Sequence, residues 1–188
     1  MVFVDALTVM LLGLGASTFL LAMYFLMAAL GRKDMDMLYV PGFIFGMFDF
    51  ASGFAMSFLW PLPGAYNMLF GDPLLVLGIL MMAGAYMLAR KMKRDLLFPI
   101  GVMLGIYIAV EAAGILNFGL EKGAYFLPAF GLYVLSALAA ILSPLGMLSP
   151  KGNGRYGYYL LSLLLVLVTI VALFIGYGGI YAHLKSPP

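Results

Sequence analysis

Two acidic residues, Asp49 and Glu111, stand inside long apolar stretches that contain no Lys or Arg to pair with them. An ionised side chain at the centre of a bilayer costs about 2.5–3.5 kcal/mol even on the most lenient insertion scale. We therefore expect each acid to be protonated, hydrogen-bonded, open to a wet cavity, or sharing a proton or a cation. Such groups suit proton coupling or cation binding. The alternative is a neutral acid that hydrogen-bonds a neighbouring helix and serves packing alone.

Other polar side chains are candidates for lining or gating a path past the two acids. They lie within the apolar stretches, after the second stretch and near the end of the chain, and they are Tyr107, Ser52, Asn117, Trp60, Tyr66, Asn67 and His183. Each also has a structural interpretation, since such residues bond helices together, anchor at the membrane interface or cap a helix end. Because the chain has no cysteine and one histidine, we predict no metal site and no cofactor.

The elements that must position these residues follow from the composition. The chain is 65% hydrophobic and 10% charged, whereas soluble domains carry about 25% charged residues. Apolar stretches of the length that a membrane-spanning helix requires cover approximately 6–30, 38–60, 74–90, 97–118, 125–148 and 157–182. The sequence thus predicts an all-α bundle of six transmembrane helices, a single integral membrane domain over residues 1–188 in contact with the lipid bilayer. No room remains for a soluble catalytic domain.

Basic residues alternate between the breaks. Eight of the ten Lys and Arg residues follow the first, third and fifth stretches, and only Lys122 and Lys185 lie on the other side. Since positive loops stay in the cytoplasm, we predict a protein of the cell membrane with cytoplasmic basic loops and both termini outside. These loops are orientation signals, and the sequence predicts no nucleic-acid partner.

Small residues accompany Asp49 on its predicted helix. Gly42, Gly46 and Gly53 share one helical face with it, because residues three, four and seven positions apart align. Small residues allow a neighbouring helix to approach closely. We therefore expect Asp49 to point into the bundle.

A weak internal repeat has an offset of roughly 60 residues. Asp5 and Asp72 precede similar descending helices, Asp49 and Glu111 occupy similar depths in the ascending ones, and a Gly-Ala-Tyr follows each of these. A parallel repeat of three helical hairpins predicts a pseudo-threefold ring that could enclose a path. Chance similarity between apolar helices is the alternative.

The break between the second and third stretches is rich in proline, glycine and aromatic residues. Pro73 is suited to the first turn of a helix and Asp72 to its cap. We therefore expect the third helix to begin near residue 74. The apolar loop before it is predicted to fold onto the bundle as a lid, or to form a tight turn anchored by aromatic residues.

The same break carries a family resemblance. Its Trp60-Pro-Leu-Pro-Gly-Ala-Tyr-Asn pattern is followed by Phe-Gly-Asp-Pro, and the chain opens with Asp5-Ala-Leu-Thr. These motifs resemble a family of small prokaryotic, largely archaeal, multi-pass membrane proteins, domain of unknown function 981. The resemblance implies a membrane location and supplies no catalytic residues.

Three hypotheses of function follow. The leading one is a small channel or transporter that moves a small solute, proton or cation past Asp49 and Glu111. The second is a non-catalytic subunit of a larger membrane complex, such as a respiratory one, or a homo-oligomer. An enzyme acting on lipid or quinone ranks third, because no His, Cys or Arg lies in the interior of the spans. A transporter should have a polar cavity that reaches one of the acids, and a subunit should have a dry interior.

Overall fold

The computed structural model describes residues 6–185, so Asp5 of the predicted repeat lies outside the described residues. Its six α-helices are α1 (Ala6–Ala29), α2 (Tyr39–Leu59), α3 (Tyr66–Ala89), α4 (Leu97–Phe118), α5 (Phe126–Ile141) and α6 (Gly154–Lys185). Each helical segment is long and apolar enough to cross a membrane. The prediction of an all-α bundle of six transmembrane helices is confirmed, and the chain is a multi-pass membrane protein.

The six helices form a closed ring. Helices that follow one another in sequence pack together, and α6 returns to pack against α1. The closest pairs are α2 with α3, α6 with α1, and α4 with α5, whereas α3 and α4 form the loosest contact between neighbours. Each predicted hairpin turns at a basic loop and so consists of one of the loose pairs, and the close contacts lie between hairpins. The sequence repeat itself stays a prediction. Because the helices alternate in direction, the three basic loops all lie at one end of the bundle, called here the basic end.

Glycines hold α2 and α3 in the closest contact of the ring. A Cβ added at Gly78 would lie 2.3 Å from the backbone nitrogen of Phe50, and one added at Gly53 would lie 2.4 Å from that of Leu75. The two backbones therefore touch, which only residues without a side chain permit. The prediction that the glycine face of α2 receives a neighbouring helix is confirmed.

The start of α3 differs from the sequence-based expectation. The helix begins at Tyr66, and Pro73 lies in its interior, so Asp72 is not a cap and the loop is only six residues long. An internal proline removes the hydrogen bond to the carbonyl four residues earlier, here that of Leu69. The hydroxyl of Tyr133 on α5 donates a hydrogen bond to this carbonyl instead. A tertiary contact thus compensates for the proline. The six-residue loop before α3 has the form of a tight turn, one of the two alternatives that the sequence left open.

The later helix ends also differ from the predicted bounds. The fifth span consists of the helix Phe126–Ile141 followed by a 3-10 turn over Ser143–Met147. Pro144 explains the change, because the residue before a proline avoids the α conformation. The sixth helix extends beyond its predicted span of 157–182 at both ends, to Gly154 and Lys185.

Candidate functional site

Asp49 is fully buried between α2 and α1. The hydroxyl of Ser17 donates a hydrogen bond to its Oδ2, while its Oδ1 has no hydrogen-bond partner among the described residues. Gly13 makes room for the carboxyl group, since a Cβ there would lie 3.3 Å from Oδ1. Asp49 therefore points into the bundle, as predicted, and no part of it is exposed at the surface of the protein.

Glu111 belongs to a second cluster, which also includes Asp72, Tyr107 and Ser57. Asp72 on α3 accepts hydrogen bonds from Tyr107 Oη of α4, at 2.8 Å, and from Ser57 Oγ of α2, at 2.5 Å. Glu111 lies one turn beyond Tyr107 on α4, within electrostatic range of Asp72. Both of its carboxyl oxygens are buried, and neither has a hydrogen-bond partner within residues 6–185. Asp72 links three helices. Glu111 lies beside that link and near the Tyr107 hydroxyl, whose one proton is donated to Asp72.

The two predicted acids do not form one site. The partner of Asp49 lies on α1, whereas the neighbours of Glu111 lie on α3 and α4. At a rise of 1.5 Å per residue, Asp49 lies about 15 Å and Glu111 about 10 Å from the end of its helix opposite the basic end. The two predicted carboxyl groups thus occupy separate sites in the membrane-spanning region, and Asp72 of α3 lies near Glu111 there.

Three of the sequence-predicted site residues lie in or directly after the short loop between α2 and α3. Asn67 is fully buried, and its side chain bonds the backbone nitrogen and carbonyl of Leu62 and the carbonyl of Gly64. Tyr66 donates to the carbonyl of Leu120 at 3.3 Å. Trp60 ends α2 in a left-handed conformation with its side chain half exposed. These contacts fix the loop against the bundle.

The remaining candidates lie apart from both carboxyl clusters. Ser52 donates at 2.5 Å to the carbonyl of Phe48 in its own helix. Asn117 is exposed at the end of α4, and His183 lies in the last turn of α6. The described residues bring no three His, Cys, Asp or Glu side chains together as metal ligands.

A central cavity of about 260 Å³ is lined by residues of all six helices. Its walls are overwhelmingly apolar, and none of the nine sequence-predicted site residues contributes to them. On α3 alone the lining extends from Leu69 to Leu88, about 28 Å along the helix axis. This length is close to the roughly 30 Å of a bilayer's hydrocarbon core. The cavity is therefore long and lined almost entirely by apolar side chains.

One end of this cavity is polar. Arg94, in the loop between α3 and α4, and Tyr24, near the end of α1, both line the cavity at the basic end. The guanidinium carbon of Arg94 lies 5.2 Å from the centre of the Tyr24 ring. Sequence reasoning treated Arg94 only as an orientation signal. The larger number of basic residues in this loop was the one available indication of a further role.

The basic loop between α1 and α2 shows how an arginine at this end of the bundle can instead be paired, in an exposed ion pair. Arg32 and Asp34 are both exposed and pair at 2.6 Å. The hydrogen bonds from Arg32 hold the pKa of Asp34 below its ordinary value. Within residues 6–185, Arg94 has no such carboxylate at ion-pairing distance.

Six apolar membrane-spanning helices closed around a central cavity define a small integral membrane protein of the helical-bundle class. The chain belongs to the DUF981 family, described as "Protein of unknown function", whose model matches residues 1–186. No curated protein and no solved structure matches it.

Proposed function

We propose that this protein binds a long apolar chain, such as that of a lipid-like molecule, in the central cavity of its bundle. The observation that carries the proposal is the cavity itself, because it is lined by every helix, is apolar along its walls and is nearly as long as the membrane core is thick. Apolar ligands bind in such concave, preformed sites with few polar groups. Entry from the bilayer would be easiest between α3 and α4, the loosest neighbouring pair.

An enzymatic role at this cavity receives less support. Its lining contains no acid, no histidine and no cysteine, so the hydroxyl groups of residues such as Thr18 and Ser136 have no general base beside them in these walls to activate them. The subunit hypothesis is supported by the apolar outer surface of the bundle and by its apolar interior. Contact with lipid explains the first equally well, and a bound apolar chain explains the second. A protein that purifies as a single chain with a retained amphiphile would argue against that hypothesis.

Filling the cavity should prevent binding. Leu104 on α4 lines the cavity and is 8% exposed. With Leu104→Phe, we expect a photoactivatable 16-carbon alcohol to label cavity residues about tenfold less. Excluding two methylenes, at about 0.8 kcal/mol each, has that effect. The measurement is mass spectrometry of cross-linked peptides from protein in phosphatidylcholine nanodiscs.

The matched control for this experiment is Leu116→Phe on the same helix. Leu116 is 57% exposed and lies outside the cavity, so its substitution should leave labelling unchanged. Thermal unfolding of both variants confirms that each is folded. Equal labelling of cavity residues in the wild type and the Leu104 variant would contradict the proposal.

We also propose the orientation in which the basic end faces the cytoplasm and both termini lie outside, supported by the charge distribution. The chain contains no cysteine, so single cysteines report topology without background. We expect Lys122→Cys to react with an impermeant maleimide in intact cells, and Lys93→Cys to react only after permeabilisation. The reverse pattern would invert the orientation.

A second candidate function is the exchange of a proton or cation at Glu111. It is a narrower form of the hypothesis that the sequence ranked first, in which a small solute, proton or cation moves past both Asp49 and Glu111. It is supported by the position of this carboxyl group inside the membrane, beside Asp72 and Tyr107, without hydrogen bonds of its own. The apolar central cavity does not reach it, so any path would run along the seam between α3 and α4. Flux measurements in liposomes distinguish this candidate from simple binding.

A further inference from the structure

We propose that the basic end of the central cavity binds the anionic head group of an amphiphile, with Arg94 supplying the positive charge and Tyr24 a hydroxyl donor. This inference rests on the proposed function, since it assigns the head of the molecule whose chain would fill the cavity. The chemistry recognised is a carboxylate or phosphate group attached to a long apolar chain.

The charge distribution of the cavity supports this assignment. Among the residues that line it in the described part of the chain, Arg94 is the one charged side chain. Arg94 is half-buried, and no carboxylate within residues 6–185 pairs with it. A guanidinium group prefers planar, bidentate anions such as carboxylate and phosphate. Arg94 therefore offers a positive charge to an anionic ligand at the basic end of the cavity. The rest of the described lining carries no charged side chain.

Tyr24 holds Arg94 in place and leaves a polar group available. The cation-π contact positions the guanidinium group against the ring. No hydrogen bond within the described residues engages the Tyr24 hydroxyl, so it can donate to the same anion. The nearby hydroxyl of Ser143 is already used, since it donates to the carbonyl of Phe98 at 3.0 Å.

The position of the pair fits an amphiphile in a bilayer. Arg94 belongs to a loop at the basic end, beside the helix ends where a membrane surface would lie. The apolar lining begins there at Leu88 and continues along α3 to Leu69. A ligand with its head at Arg94 would thus have its charge near water and its chain parallel to the helices, as lipids do.

The test compares two photoactivatable probes with the same 16-carbon chain, a fatty acid and the matching alcohol, on full-length protein in phosphatidylcholine nanodiscs. We expect the wild type to label cavity residues about tenfold more with the acid, the usual effect of one charge-assisted hydrogen bond. Arg94→Gln should abolish this preference and leave alcohol labelling unchanged, while Arg94→Lys should retain part of it. A lysophosphatidate probe of equal chain length then distinguishes a lipid phosphate from a free carboxylate as the preferred head.

The matched control is Arg90→Gln in the same loop. Arg90 makes a similar contact, 5.7 Å above the ring of Tyr86, but is exposed and does not line the cavity. The Arg90→Gln variant should keep the full preference for the fatty acid over the alcohol. Equal labelling by acid and alcohol in the wild type, or a preference that survives Arg94→Gln, would overturn the inference and leave the proposed function standing. Failure of every probe to label the cavity above the level of Leu104→Phe would overturn the proposed function itself.

Discussion

Gly78→Ala is expected to destabilise the bundle by at least about 2–3 kcal/mol, the upper part of the range for overpacked interiors. The added methyl group would lie 2.3 Å from the backbone nitrogen of Phe50 and 2.7 Å from the carbonyl oxygen of Gly46. Backbone atoms cannot move aside as a flexible side chain can. The helices α2 and α3 must therefore separate along the closest contact in the ring. Unfolding of the purified protein by titration with denaturing detergent measures the loss.

Gly131→Ala on α5 provides the control, because a Cβ at this position meets no atom within 4 Å. It should change stability by less than about 1 kcal/mol and in the stabilising direction, as removal of a helical glycine does. If Gly78→Ala changed the stability no more than Gly131→Ala does, the backbones of α2 and α3 would not be as close as the structure has them.

Gly53 on α2 extends the same argument to a pair of substitutions. Its added methyl would meet the backbone of Leu75 and Gly71 on α3, so either substitution alone forces the two helices apart. The double variant Gly53→Ala/Gly78→Ala should lose less stability than the two single losses combined, since residues in one interface are not additive. Asp72 depends on this interface, because its partner Ser57 lies on α2.

The number and type of the helices could be predicted from the sequence because they depend on local composition. Runs of about 20 apolar residues satisfy their own backbone hydrogen bonds only as helices. The glycine face around Asp49 could also be predicted, since it follows from the 3.6-residue period of the helix. These properties do not require knowledge of which helices become neighbours.

The start of α3 could not be predicted, because the compensation for Pro73 comes from another part of the chain. Sequence rules place a proline in the first turn of a helix, and they cannot anticipate that Tyr133 will bond the freed carbonyl of Leu69. Asp72 was consequently assigned to a cap rather than to the cluster with Tyr107. The same limitation applies to the cavity, whose apolar lining residues are indistinguishable in sequence from those that face lipid.

Glu111→Leu is expected to stabilise the folded protein by about 1–3 kcal/mol, the cost of a buried polar group without a partner. Both carboxyl oxygens of Glu111 are buried and lack hydrogen bonds within the described residues. Asp72→Leu should have the opposite sign, because it leaves Ser57 and Tyr107 without their acceptor. The same detergent titration compares the two variants, one of which removes a bonded carboxyl group and the other an unbonded one.

If Glu111→Leu stabilises the protein, then the native Glu111 lowers its stability. Residues that lower stability are commonly retained because function requires them. The second candidate function then predicts that proton or cation flux into liposomes, measured across a pH range, disappears with Glu111→Gln and persists with Asp49→Asn, because Asp49 is sealed between α1 and α2. Stabilisation without any flux in the wild type would instead exclude charge movement as the reason. Destabilisation would assign Glu111 a bonded partner, such as a bound water, and make it a packing residue like Asp72.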